Sequence, residues 1–215
     1  MADTYTVTST VCTGTGSITE AMVNANANAN ANMGVIDIIE FKEDLVVDFA
    51  TCPPNPPPVQ PDEYFALQAT ESVIFVGNGA KLKGQMIWLD TDGINRAGQD
   101  CVRFDDKVLA LTPGFITVGV QDADNSAITV TVRDLDMEGL SAVAMIQENA
   151  SLVMEDLTLK SIYSSPIEGC RQPAILASKG ANFSAYRTGW DDIWNDFTVL
   201  AGIVFNGAIG TTADD

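Results

Sequence analysis

The chain has 215 residues, 46% of them hydrophobic, and carries 29 acidic against 11 basic side chains with no histidine, a formal charge of −18. That charge argues against a nucleic-acid partner, because phosphate neutralisation needs a basic surface. The missing histidine removes the commonest general acid/base at neutral pH and an ordinary zinc ligand, which excludes serine and cysteine hydrolase triads and conventional zinc sites.

In chain order, residues 5–11 alternate polar and apolar side chains, rich in β-branched ones, and predict a strand. Ser17, followed three residues later by Glu20, is a capping box, in which hydroxyl and carboxylate each satisfy a backbone N–H at a helix start. Behind it Ile18, Ala21, Met22 and Ala25 fall on one helical face, opposite Thr19, Asn24 and Asn26, so the spacing predicts an amphipathic helix over 17–29. The Ala/Asn alternation from Asn24 to Asn32 suits neither a helix interior nor a strand, and predicts a fraying exit that ends at Gly34. Residues 1–34 therefore read as an N-terminal strand and a capping helix. Residues 35–41 and 45–49 are short apolar runs that predict strands. The Pro-rich stretch at 52–61, opening Cys52-Pro53-Pro54, predicts an extended loop.

From residue 72 onward, short strand-like runs at 72–76, 85–89, 101–104, 115–120 and 127–132 are punctuated by Gly, Asn and Asp. An echo follows. Arg133-Asp134-Leu135-Asp136-Met137-Glu138-Gly139 and Glu155-Asp156-Leu157-Thr158-Leu159-Lys160-Ser161 stand 22 residues apart, and residues 149–154 are loosely matched by 180–185. Repeats of this period imply stacked units burying a shared core. The predicted fold is thus all-β: a right-handed parallel β-helix, or solenoid, with an N-terminal capping α-helix and with coils over 35–215. A β-sandwich stays open as the alternative, since Asn78-Gly79, Asp92-Gly93 and Asn206-Gly207 are hairpin-turn dipeptides.

The string VTSTVCTGTGSITEAMVNANANANANMGVIDIIEF, residues 7–41, resembles the N-terminal segment of secreted parallel β-helix proteins, including polymorphic outer-membrane proteins and related bacterial and algal surface proteins. Gly16, Ser17, Ile18, Glu20, Ala21, Met22, Ala25, Asn26, Ala27, Asn28, Gly34, Asp37, Ile39 and Phe41 carry the resemblance. Thr19 stands where that segment usually has Arg, and Met33 where it has Pro. The resemblance implies a capped coil and leaves the activity open, because one coil hosts many functions.

Four widely spaced cysteines, Cys12, Cys52, Cys101 and Cys170, contain no CxxC pair, and their even number predicts two disulfides of unspecified pairing. Asn149-Ala150-Ser151 and Asn182-Phe183-Ser184 are glycosylation acceptor triplets at Asn149 and Asn182. Together they point to a secreted or cell-surface protein. Neither a signal peptide nor a membrane span is legible, so export implies a removed leader or a longer parent chain. Asp90, Asp92 and Asp100 offer carboxylates to calcium without EF-hand spacing, and Asp122-Ala123-Asp124-Asn125 offers a similar loop; calcium is the one cofactor suggested. Tyr186, Trp190 and Trp194 form the densest aromatic group, suited to a carbohydrate platform, an interface or a core. Arg96, Arg103, Arg133, Arg171 and Arg187 are scattered, unlike the basic cluster that polysaccharide lyase chemistry needs. The resulting expectation is a non-enzymatic extracellular or surface protein, structural or adhesive, that associates with itself or a protein partner at the C-terminal end of its coil. A carbohydrate-binding module or lyase-like protein is the alternative.

Overall fold

The computed structural model describes residues 2–28, 36–52, 65–84, 113–140, 142–162, 174–193 and 204–205. In chain order these form β1 (Thr4–Val7), α1 (Ile18–Asn28), β2 (Asp37–Phe41), β3 (Val46–Asp48), a 3-10 turn (Phe49–Thr51), β4 (Phe65–Ala69), β5 (Val73–Lys83), β6 (Gly114–Val118) and β7 (Thr129–Glu138). Then come β8 (Ala144–Ile146), β9 (Ser151–Glu155), β10 (Thr158–Ile162), β11 (Ile175–Ala177), β12 (Asn182–Tyr186), β13 (Gly189–Ile193) and β14 (Val204–Phe205). Among the described residues the fold is mostly β, with parallel sheets and one α-helix.

Every pairing between these strands is parallel. Parallel neighbours cannot be joined by a two-residue turn, so the antiparallel hairpins of a β-sandwich do not occur among the described residues. Asn78-Gly79 lies inside β5 and bends it, with φ of 53° and 75°. Asp92-Gly93 and Asn206-Gly207 lie outside the described residues.

One sheet runs β1-β2-β5-β7-β9-β12-β14, and a second runs β11-β8-β6-β4. Because β5 and β7 are long and bent, their second halves pair with other neighbours: β3 with Lys81 to Lys83, and β10 with Met137 and Glu138. The larger sheet therefore has two flanks, the second built from β3, β10, β13 and the far halves of β5 and β7. From β4 to β13 the chain visits the smaller sheet, the first flank and the second flank in the same repeating cycle. Thr129 pairs with Ser151 and Arg133 with Glu155, the 22-residue offset of the sequence echo. Ser151 pairs with Asn182, as the looser echo requires.

Alternate positions of each strand point inward and stack on their register partners. Val73, Val130, Leu152 and Phe183 form one buried ladder, and Phe75, Val132, Met154 and Ala185 another. On the second flank Leu82, Met137, Leu159 and Trp190 do the same. Burial of each large apolar side chain contributes roughly 1.5–3 kcal/mol against the entropy of ordering it. Phe115 bridges the sheets, its ring centroid 6.2 Å from that of Phe49 and 5.4 Å from that of Phe75.

The bend between the flanks recurs at one residue per cycle. Asp44, Asn78, Asp134, Asp156 and Arg187 all have φ between 48° and 56°, a left-handed conformation that Asn and Asp tolerate better than other non-glycine residues. That physical preference explains why the echo carries Asp134 and Asp156 at matching positions. The opposite bend is a turn in which the N–H groups of Ile128, Ala150 and Ala181 donate to the carbonyls of Asn125, Gln147 and Ser178, at 2.9–3.1 Å.

Helix α1 packs against β1, β2 and β4. Ile18, Ala21, Met22 and Ala25 are all buried, as their spacing predicts. Ser17 Oγ accepts from the Glu20 N–H at 3.2 Å, while Glu20 reaches past the cap residue to the Gly16 N–H at 2.6 Å. The strand expected over 5–11 is shorter, ending at Val7, with Val11 making a lone parallel bridge to Asp48. Since β1 pairs with β2, the N-terminal strand belongs to the same sheet as the strands after residue 34.

Asn26 is not on a solvent-facing side as expected. Its amide donates to the Gln68 carbonyl at 2.8 Å and accepts from the Thr70 N–H at 3.0 Å. One side chain thus supplies to the edge of β4 the two bonds a neighbouring strand would make, which closes an edge that would otherwise invite pairing. Asn26→Ala should lower stability by about 1–2 kcal/mol, read from the urea midpoint, because both groups lose their partner.

Cys12 and Cys52 form a disulfide with Cα atoms 4.8 Å apart. The Cys12 N–H donates to Thr51 Oγ1 at 2.9 Å, so the chain entering α1 is fastened to the turn after β3. Cys101 and Cys170 lie outside the described residues.

Candidate functional site

On a strand, the neighbours of buried residues point outward, and outward residues of paired strands stand about 4.8 Å apart. The second flank carries an outward ladder of Asp48, Lys83, Glu138, Lys160 and Asp191, each in register with the next. Its sign alternates. Lys160 and Asp191 approach to 3.8 Å, and Lys81 reaches diagonally to Glu138 at 3.6 Å. Such exposed pairs each add only tenths of a kcal/mol, but they favour the observed neighbours over like-charged ones. Lys81, Lys83 and Lys160, three of the chain's 11 basic residues, stand on this flank.

The first flank is different. Arg133, Glu155 and Tyr186 stand in register on β7, β9 and β12, all outward. Arg133 is exposed, Glu155 half-buried and Tyr186 40% exposed. Among the described residues neither Arg133 nor Glu155 is in an ion pair. Two positions upstream on the same strands sit Thr131, Val153 and Ser184, small enough to leave the face open.

One residue further along is the bend, where Arg187 grips Asp156 with two parallel bonds, Nε to Oδ1 and Nη2 to Oδ2, the latter 2.7 Å. The grip holds Arg187 in a left-handed conformation that long side chains disfavour. Hydrogen bonds from Arg187, reinforced by its charge, hold the Asp156 carboxyl below the ordinary carboxylate range. The same bonds and charge raise the guanidinium. A depressed carboxyl stabilises the fold above its unfolded value and ceases to do so as pH falls through the folded value. Carboxyl titration by NMR should place the Asp156 midpoint below that of an unstructured Asp, and Arg187→Ala should return it upward.

The aromatic group separates. Tyr186 faces out, Trp190 is buried in the core against Leu159 on the second flank, and Trp194 lies outside the described residues. Asp90, Asp92 and Asp100, with Arg96, Arg103 and Arg171, also lie outside them. Among the described residues no three His, Cys, Asp or Glu side chains are placed to share a metal ion. The loop around Asp122 is organised from within instead. Asn125, only 1% exposed, accepts from the Val120 N–H and donates to the carbonyls of Val120, Ala123 and Glu148. Asp124 accepts from the Ser126 N–H at 3.1 Å, which lowers its carboxyl.

Both acceptor asparagines are exposed. Asn149 sits at a turn with φ of 63°, and Asn182 opens β12 with its amide 3.4 Å from Ser151 Oγ. What the sequence did not single out is Glu155 beside Arg133, although the 22-residue echo already aligns them. No described helix is long and apolar enough to cross a membrane. Compared with protein-family models, with curated proteins and with solved structures, the chain matches none.

Proposed function

We propose that this chain is a right-handed parallel β-helix acting as a non-enzymatic structural or adhesive module outside the cell or at its surface, and that it associates through the C-terminal end of the coil with itself or a protein partner. The observation that carries this reading is the asymmetry of the stack. At one end α1 covers the core and Asn26 completes the edge of β4. At the other, among the described residues, the outermost strands are β11, β13 and β14, with no helix over them. Strand edges attract further strands unless something occupies them. The Cys12–Cys52 disulfide accords with an oxidising compartment, and the resemblance of residues 7–41 to caps of secreted coils supports the same assignment.

A charge of −18 opposes stacking of identical chains at low salt. A homotypic contact should therefore strengthen as salt screens that repulsion, whereas a contact with a basic partner should weaken. Sedimentation velocity at low and high salt distinguishes them: self-association that grows with salt is expected, and a monomer at both removes the homotypic form of the proposal.

A further inference from the structure

We infer that the outward row of Arg133, Glu155 and Tyr186 is a binding site for a neutral saccharide chain. The three side chains come from consecutive layers of one parallel sheet, held in register by backbone hydrogen bonds rather than by a loop. Groups fixed on rigid strands at regular spacing are preorganised, so little ordering entropy remains for a ligand to overcome. Tyr186 presents an aromatic face that remains 40% exposed on a strand whose other large side chain, Phe183, is buried. An exposed ring of this kind gains by covering an apolar surface with one polar edge, which the C–H face of a sugar ring provides.

The neighbours fit the same ligand. Ionised Glu155 is acceptor-only and Arg133 donor-only, whereas a sugar hydroxyl is both, so adjacent hydroxyls can satisfy the two together. Among the described residues neither makes a close ion pair, in contrast to Lys160 with Asp191 and Arg187 with Asp156, although the Glu155 charge is also felt by Arg187 at the adjoining bend. Net charge selects between saccharides. With Asp134, Asp156 and Arg187 at the adjoining bend, the local balance is one negative charge in excess on a chain of −18, which disfavours uronates and sulfated sugars. Thr131, Val153 and Ser184, small and half-buried beside the row, suit an extended polymer lying across the layers.

This inference does not rest on the assembly proposal: it concerns the flank of the stack, not its end. It is tested by saturation-transfer NMR and titration of the full chain with cellohexaose, mannohexaose and xylohexaose in turn, and with a galacturonate hexamer as the acidic comparison. At least one neutral hexamer should bind, and Tyr186→Ala should weaken it about tenfold or more, the loss expected for a central aromatic anchor. Glu155→Gln and Arg133→Gln, which preserve shape better, should each weaken it several-fold with unchanged melting, so the result does not depend on the folding of Tyr186→Ala. Val46→Ser, on the other flank, should leave binding as it was. The inference is overturned if no neutral hexamer binds, if the three row variants bind as the parent does, or if the galacturonate hexamer binds more tightly than the neutral ones.

Discussion

Met22→Asp should destabilise the protein by about 5 kcal/mol and melt the helix along with the layers it covers. Met22 is 3% exposed, on the face of α1 that packs against β1, β2 and β4. Removing a buried Met side chain costs roughly 2–5 kcal/mol through lost transfer and a residual cavity, and an uncompensated buried carboxylate costs roughly 3–5 kcal/mol. The two terms overlap, since the chain relieves both by detaching the helix. Urea unfolding followed by circular dichroism gives the loss, and Met22→Leu, a volume-conserving change, should stay within about 1.5 kcal/mol of the parent. Acid should partly rescue the Asp variant, because burial raises the pKa of the introduced carboxyl and its neutral form is tolerated better. An unchanged melting temperature for Met22→Asp would show that α1 closes no core.

Breaking the Cys12–Cys52 disulfide is the second large effect. The bond closes a loop of 40 residues that contains the whole of α1, β2 and β3. The chain-entropy estimate for such a loop is about 4 kcal/mol at 25 °C, arising mainly in the unfolded state. Cys12→Ala with Cys52→Ala should show that loss, and the parent under a strong reductant should approach the variant. Hydrogen exchange should rise first in residues 2–28, because β1 and α1 then hold to the stack only by non-covalent contacts: packing, the pairing of β1 with β2, and the bonds of Cys12 and Asn26 to Thr51, Gln68 and Thr70. Equal stability with and without the bond would mean that the unfolded chain keeps these segments together by other means.

The helix and the cycle were legible because each has a local cause. Ser17, Glu20 and four apolar residues at helical spacing specify α1, and the left-handed preference of Asp marks the bend in two successive layers, which is the 22-residue echo. Other features have no local cause. The sequence reads as a strand over 72–76 that stops at Gly77, because Gly-Asn-Gly usually ends one, yet β5 runs on to Lys83. The stop is overridden by packing: a side chain at Gly77 would collide with the Asp134 carbonyl of the next layer, so the glycine is there for close approach. β4 was likewise missed, since Phe65-Ala66-Leu67-Gln68-Ala69 has no alternation and follows a proline-rich stretch. The charged ladder of Asp48, Lys83, Glu138, Lys160 and Asp191 is invisible in sequence, because only the strand register brings those residues together. Tyr186 beside Glu155 is closer to legible, because the looser echo of 149–154 by 180–185 stops one residue short of that pair.

The cycle that passes from the smaller sheet to each flank in turn has a consequence for how such a molecule changes over generations. Each layer pairs its strands only with those of the layers above and below it, and Thr129 to Ser151 is one complete circuit. A tandem duplication of residues 129–150 would insert one more layer with every inward and outward side chain still in phase. Height can then be altered by a single copying error, while the cross-section and the pitch at which the flanks present their groups stay fixed.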